Sequence, residues 1–153
     1  LEYFSRVVSK VNEEEQSKDL MRMLNQFDYL FQIHDSIIDL FATKKIMLEQ
    51  YLELKSDILL MIRELSSQTL NLFDDIHKVL SGQAELDIKQ AAKQLQADLN
   101  QANRNLLLLL ADSDRKDAGA LTNFVTYSQR LKDKLLNFYK IAGVNKKEEL
   151  ATE

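Results

Sequence analysis

The chain has no proline, no cysteine and only three glycines (Gly82, Gly119 and Gly143) in 153 residues. Proline removes a backbone donor and clashes with the preceding helical turn, and glycine loses the most backbone entropy on folding. A chain this poor in both is suited to long uninterrupted helices. β-Branched residues are sparse beside Leu, Lys, Glu, Gln and Asp, which argues against a sheet. The missing cysteine excludes disulfides and thiolate metal sites and leaves the compartment open. The net charge of -4 is mild, and no basic stripe interleaves with aromatics, so nucleic acid is not an expected partner. No apolar run approaches the roughly 20 residues of a membrane helix. Present in quantity are hydrophobic residues at 45% and charged residues at 29%, the balance of a folded domain rather than a disordered one. The length suits one domain. Because the chain opens at Leu1 rather than at methionine, a fragment of something longer is expected.

Hydrophobic periodicity places the helices. Tyr3, Phe4, Val7, Val8 and Val11 share one side of a partial N-terminal helix. Asn12 followed by Glu15 has the form of a capping box, and a long helix is predicted over 14–46. Within it, Leu24, Phe27, Phe31, His34, Ile38 and Phe41 recur at alternating three- and four-residue spacing, the period of a helix that packs along its length. A second line, Leu30, Ile33, Ile37 and Leu40, runs beside the first. Two adjacent lines make an apolar face wider than one neighbour needs.

A second helix is predicted over 49–80 on the stripe Ile58, Ile62, Leu65, Thr69, Leu72, Ile76 and Val79, with Leu52, Leu59, Phe73 and Leu80 flanking it. Ser81-Gly82 stops it as a C-cap glycine does. A third is predicted over 84–111 on Ile88, Ala92, Leu95, Leu99, Ala102, Leu106 and Leu109. It ends in the run Leu106 to Leu110, which reads as a helix end buried on several sides. The sharper alternative is an interface through Leu106, Leu107 and Leu108. The polar segment 112–117 breaks the chain. The last long helix carries Leu121, Phe124, Ser128, Leu131, Leu135, Phe138 and Ala142, and Gly143 is expected to end it, leaving 144–153 as a charged, frayed tail. Short connections predict antiparallel neighbours, hence an all-α, up-and-down bundle of four long helices plus a partial first one.

Catalytic chemistry finds no purchase in these residues. No nucleophile elbow, phosphate-binding loop or Gly-rich cradle occurs, and Ser and His do not combine as a triad would need. Asp28 and Asp35 share a helix edge about 10 Å apart along the axis, and they cannot form an acid–base pair by themselves. The chain is therefore expected not to be an enzyme, with no cofactor and no small-molecule substrate. His34, beside Asp35 and a turn from Asp39, offers part of a metal site but too few ligands. Its place on the apolar line predicts instead a core histidine hydrogen-bonded to a neighbouring helix. His77 is expected on the surface.

The helix around His34 has an echo near the far end of the chain. Aligning Asp35 with Asp133 superposes Leu30, Ile33, Ile37 and Leu40 on Ser128, Leu131, Leu135 and Phe138. Phe31-Gln32-Ile33-His34-Asp35 then matches Gln129-Arg130-Leu131-Lys132-Asp133. This pattern resembles the PhoU-like family of tandem three-helix bundles, whose repeats carry a Glu-Arg-Ile-Gly-Asp type of motif. The resemblance spans residues 1–143 and implies that the first helix of the first repeat precedes Leu1. In the family the motif carboxylates ligate metal ions. Here Asp35 and Asp133 are kept, but Phe31 and Gln129 stand where a glutamate would be, so any metal role falls to a depleted set. The resemblance further implies the regulatory tail of a sodium/phosphate cotransporter-family membrane protein, on the cytoplasmic side of the inner (plasma) membrane. Such a tail would act in phosphate transport or its regulation by packing on the transmembrane part of the same polypeptide or on a second copy, with Phe31 and His34 on the contact face. The competing expectation is an extracytoplasmic four-helix sensor domain of a chemoreceptor or histidine kinase.

Overall fold

The computed structural model describes residues 6, 14–49, 56–111 and 118–149. The partial N-terminal helix, the cap at Asn12, the flanking Leu52 and the break at 112–117 lie outside the described residues. Among the described residues the chain is an all-α helical bundle of four helices, α1 (Glu14–Glu49), α2 (Ser56–Leu80), α3 (Ile88–Ala111) and α4 (Ala118–Glu149).

Helix boundaries follow local chemistry. Beyond Leu80 the chain closes in a Schellman turn. The Gln83 amide donates to the Lys78 carbonyl at 2.8 Å and the Gly82 amide to Val79 at 3.1 Å, with Gly82 at φ 75°. This is the left-handed geometry that satisfies the last helical carbonyls and favours glycine. Gly82→Ala should lower stability by about 1 kcal/mol, seen as a lower Tm with unchanged helicity. Helix α3 starts four residues later than the periodicity predicts, because Asp87 is its N-cap: its carboxylate accepts from the Gln90 amide at 2.9 Å. At the other end of the chain, Gly143 does not stop α4. The helix runs through it to Glu149, and a side chain there would meet nothing within 4 Å. The expected frayed tail from Val144 is thus helical backbone as far as Glu149, and 150–153 lie outside the described residues.

Helix α4 is the hub. It packs against each of the other three helices, and α2 and α3 also pack on each other. The predicted stripes of α2, α3 and α4 form the core, with Ile58, Leu65, Leu72, Leu95, Leu99 and Leu135 among its most buried members. Each such side chain contributes roughly 1.5–3 kcal/mol by leaving water. Buried hydroxyls bond back to their own helices: Thr69 to the Leu65 carbonyl at 2.8 Å and Thr43 to that of Asp39 at 2.9 Å. These bonds spare the interior an unpaired polar group.

Helix α1 departs from expectation. Among the described helices it approaches only α4, so it is not the close neighbour of α2 that their sequence order predicts. The side chains it buries are Ile33, Ser36, Thr43 and Met47; of the second apolar line only Ile33 is buried, while Leu30 and Ile37 are exposed. The first line faces water as well: Phe27, Phe31, Ile38 and Phe41 are exposed, and so is His34.

Candidate interaction site

The residues that periodicity assigned to packing, and that the bundle leaves uncovered, gather between α1 and α2. The two helices stand apart, with α4 between them as a floor, and enclose an open groove with a cavity volume of about 1000 Å³. On the α1 wall, Ile37, Leu40, Lys44 and Met47 recur at three–four spacing, with Phe41 beside them. On the α2 wall, Leu59, Arg63, Ser66, Leu70 and Phe73 recur at four–three spacing, one residue along from the buried stripe at Ile58, Ile62, Leu65, Thr69 and Leu72. Phe124, Leu131 and Leu135 of α4 form the floor. With a rise of 1.5 Å per residue, the walls run about 15 Å along α1 and about 21 Å along α2.

The groove is apolar with a one-signed charge. Among the described lining residues, Lys44 and Arg63 are the only ionisable groups, and neither enters an ion pair among the described residues. Exposed large side chains continue beyond it. Phe41 is 71% exposed and Phe31, outside the groove on α1, is 56% exposed.

The other sequence-predicted residues are dispersed. His34 is not a core histidine: its ring is on the surface, with Nδ1 3.3 Å from the Asp35 carboxylate. The reason is the choice of packing line, since Ile33 takes the buried position next to it. His77 is exposed, as expected. Asp133 lies on α4 with its Oδ1 2.9 Å from the Lys132 ammonium. Each aspartate thus has a basic neighbour on its own helix, and among the described residues no three acidic, His or Cys side chains gather to hold a metal ion. Exposed Phe31 and Gln129 add no anionic oxygen, so the residues do not fit the family's metal cluster. Of the leucine run, Leu106 is a core residue and drops out of the expected interface, whereas Leu107 and Leu108 are exposed on α3. The run is therefore not buried on several sides.

Lys132 was missed as a structural element. It is 5% exposed, and its ammonium donates to Gln96 Oε1 of α3. Gln96 Nε2 in turn donates to Asn100 at 2.9 Å. Neighbouring glutamines of α3 span one turn in the same way, Gln94 to Asp98 and Gln101 to Asn105. No helix among the described residues is long and apolar enough to cross a membrane. Comparison with protein-family models, curated proteins and solved structures returns no match.

Proposed function

We propose that the chain is a non-catalytic interaction domain whose working surface is the α1–α2 groove and the adjoining face of α1. The observation that carries this reading is the groove itself: a three-walled apolar channel whose described lining holds two cations, unpaired among the described residues, and no acid. Surface apolar patches of this extent mark sites of association, and such a channel matches helix-in-groove recognition, in which an amphipathic helix lays its apolar stripe between two others.

The finer proposal is that the domain belongs to a sodium-dependent phosphate cotransporter-family membrane protein and regulates transport from the cytoplasmic side. It rests on the paired helices around Asp35 and Asp133 and on their PhoU-like pattern. On this reading the metal function has been replaced by packing: Phe31 supplies contact area where a carboxylate would supply a ligand.

The test is sodium-driven phosphate uptake by the intact polypeptide that carries this chain. Leu70→Asp places a charge in the groove at an exposed position and should leave folding within about 0.5 kcal/mol of wild type. It should alter the uptake rate, or its response to phosphate, at least two-fold. Unchanged uptake at equal protein level would remove the transporter reading.

A further inference from the structure

We infer that the occupant of the groove is a second copy of this chain, seated through α1; the inference rests on the interaction reading and names its partner. Area is the first argument. Leu30, Phe31, Ile37, Ile38 and Phe41 of α1, with four side chains of the α2 wall, are each about half exposed or more. The four on α2 are Leu59, Leu60, Leu70 and Phe73. With roughly 150–250 Å² for each phenylalanine and somewhat less for the aliphatics, this face presents on the order of 900 Å². That exceeds the roughly 300–600 Å² of the largest patch on an ordinary monomer, and it reaches the roughly 800 Å² per partner of a stable complex. About a third of the face, at Leu30, Phe31 and Ile38, lies outside the groove, where a small apolar ligand seated in the groove would not cover it.

Charge is the second argument. Between Met23 and Thr43, α1 carries Asp28, Asp35 and Asp39 and no lysine or arginine. All three aspartates are exposed. Among its described lining residues the groove carries Lys44 and Arg63 and no acid. One copy's α1 is therefore complementary in sign to the other copy's groove, while an anionic membrane surface would meet those aspartates.

Symmetry closes the arrangement. The same helix supplies both the inserting ridge and one groove wall, so a two-fold axis satisfies both contacts at once, as an isologous dimer requires. In an antiparallel crossing near Asp35, the half of α1 that holds Phe31 meets the half of the partner's α1 that holds Phe41. Each α1 then lies between the other copy's α1 and α2, which accounts for the separation of those two helices within one chain. The exposed line Phe27, Phe31, Ile38 and Phe41 becomes the buried one.

Light-scattering mass of the 153-residue chain, measured up to about 100 µM, where a micromolar dimer is essentially complete, tests this directly. The wild type should have twice the chain mass. Phe41→Asp and Lys44→Glu should each weaken the dimer at least ten-fold while circular dichroism and Tm stay near wild type. Leu108→Asp, on an exposed part of α3 away from the face, should leave the dimer intact. A monomeric wild type would overturn the inference, as would equal loss of dimer on Leu108→Asp. The chain should also fail to sediment with phosphatidylcholine or phosphatidylglycerol vesicles. A monomer that binds such vesicles through Phe41 would give the face to a membrane, overturning the dimer while leaving the interaction reading in place. If Phe41→Asp changes neither mass, vesicle binding nor phosphate uptake, both readings fall.

Discussion

Leu106→Ala is expected to lower the unfolding free energy by roughly 3 kcal/mol, and Leu108→Ala, two residues away in the same run of leucines, by less than about 0.5 kcal/mol. Leu106 is 2% exposed and Leu108 is 73% exposed. Truncating Leu106 removes its transfer free energy and leaves a void that the packed α3 can close only in part. Truncating Leu108 removes atoms that already face water, and alanine's higher helix propensity offsets part of what contact is lost. Chemical denaturation should show the two variants shifting in midpoint by very different amounts at equal slope. Equal costs would mean that Leu108 is covered in solution by another molecule or segment.

Gln96→Leu should cost roughly 2–3 kcal/mol, because it strands a buried ammonium. Lys132 sits between α3 and α4 with its ammonium held by Gln96 Oε1 and by Asp133. Leucine in place of Gln96 takes away one acceptor and leaves Asp133 alone, whose carboxylate is itself half exposed. Lys132→Met is the milder change, within about 1 kcal/mol. It keeps the apolar stem and removes the desolvated charge, while Gln96 retains its bond to Asn100. Because the two effects share one contact, Gln96→Leu combined with Lys132→Met should be more stable than Gln96→Leu alone, a coupling that a double-mutant cycle reads directly. Additive costs would show the ammonium reaching water instead of Gln96.

These two cases mark what pattern alone reveals. The alternation at Leu121, Phe124, Ser128, Leu131 and Leu135 identifies both the helix and its buried face, and the same holds for the stripes of α2 and α3. Gly82 marks the end of α2 because a left-handed residue is needed there and glycine adopts it at least cost. Asp87 is of a residue type that caps helices, but periodicity does not single it out; its role shows in the bond it accepts from the Gln90 amide. Gly143 illustrates the opposite limit. Glycine weakens a helix by about 1 kcal/mol without stopping it, and α4 continues through Gly143 to Glu149.

The site was half visible. Leu59 and Phe73 flank the predicted stripe of α2, and α1 shows two apolar lines where one would serve. Neither sign says that α1 and α2 stand apart. Lys132 likewise reads as a surface lysine, because its burial depends on Gln96 of another helix.

By itself, then, the sequence determined the helical class, most of the helix positions, the faces of α2, α3 and α4, and the excess of apolar surface on α1. These follow from local period, breakers and caps, which act within one or two turns of chain. Only the tertiary structure decided which side of α1 is buried, which leucines of the run face water, and that an apolar groove with Lys44 and Arg63 opens between α1 and α2. Two lines one residue apart are equally apolar, so the choice between them lies with the neighbour. Helix α4 packs on the side of Ile33 and Ser36, and the side of Phe31 and Phe41 is left exposed.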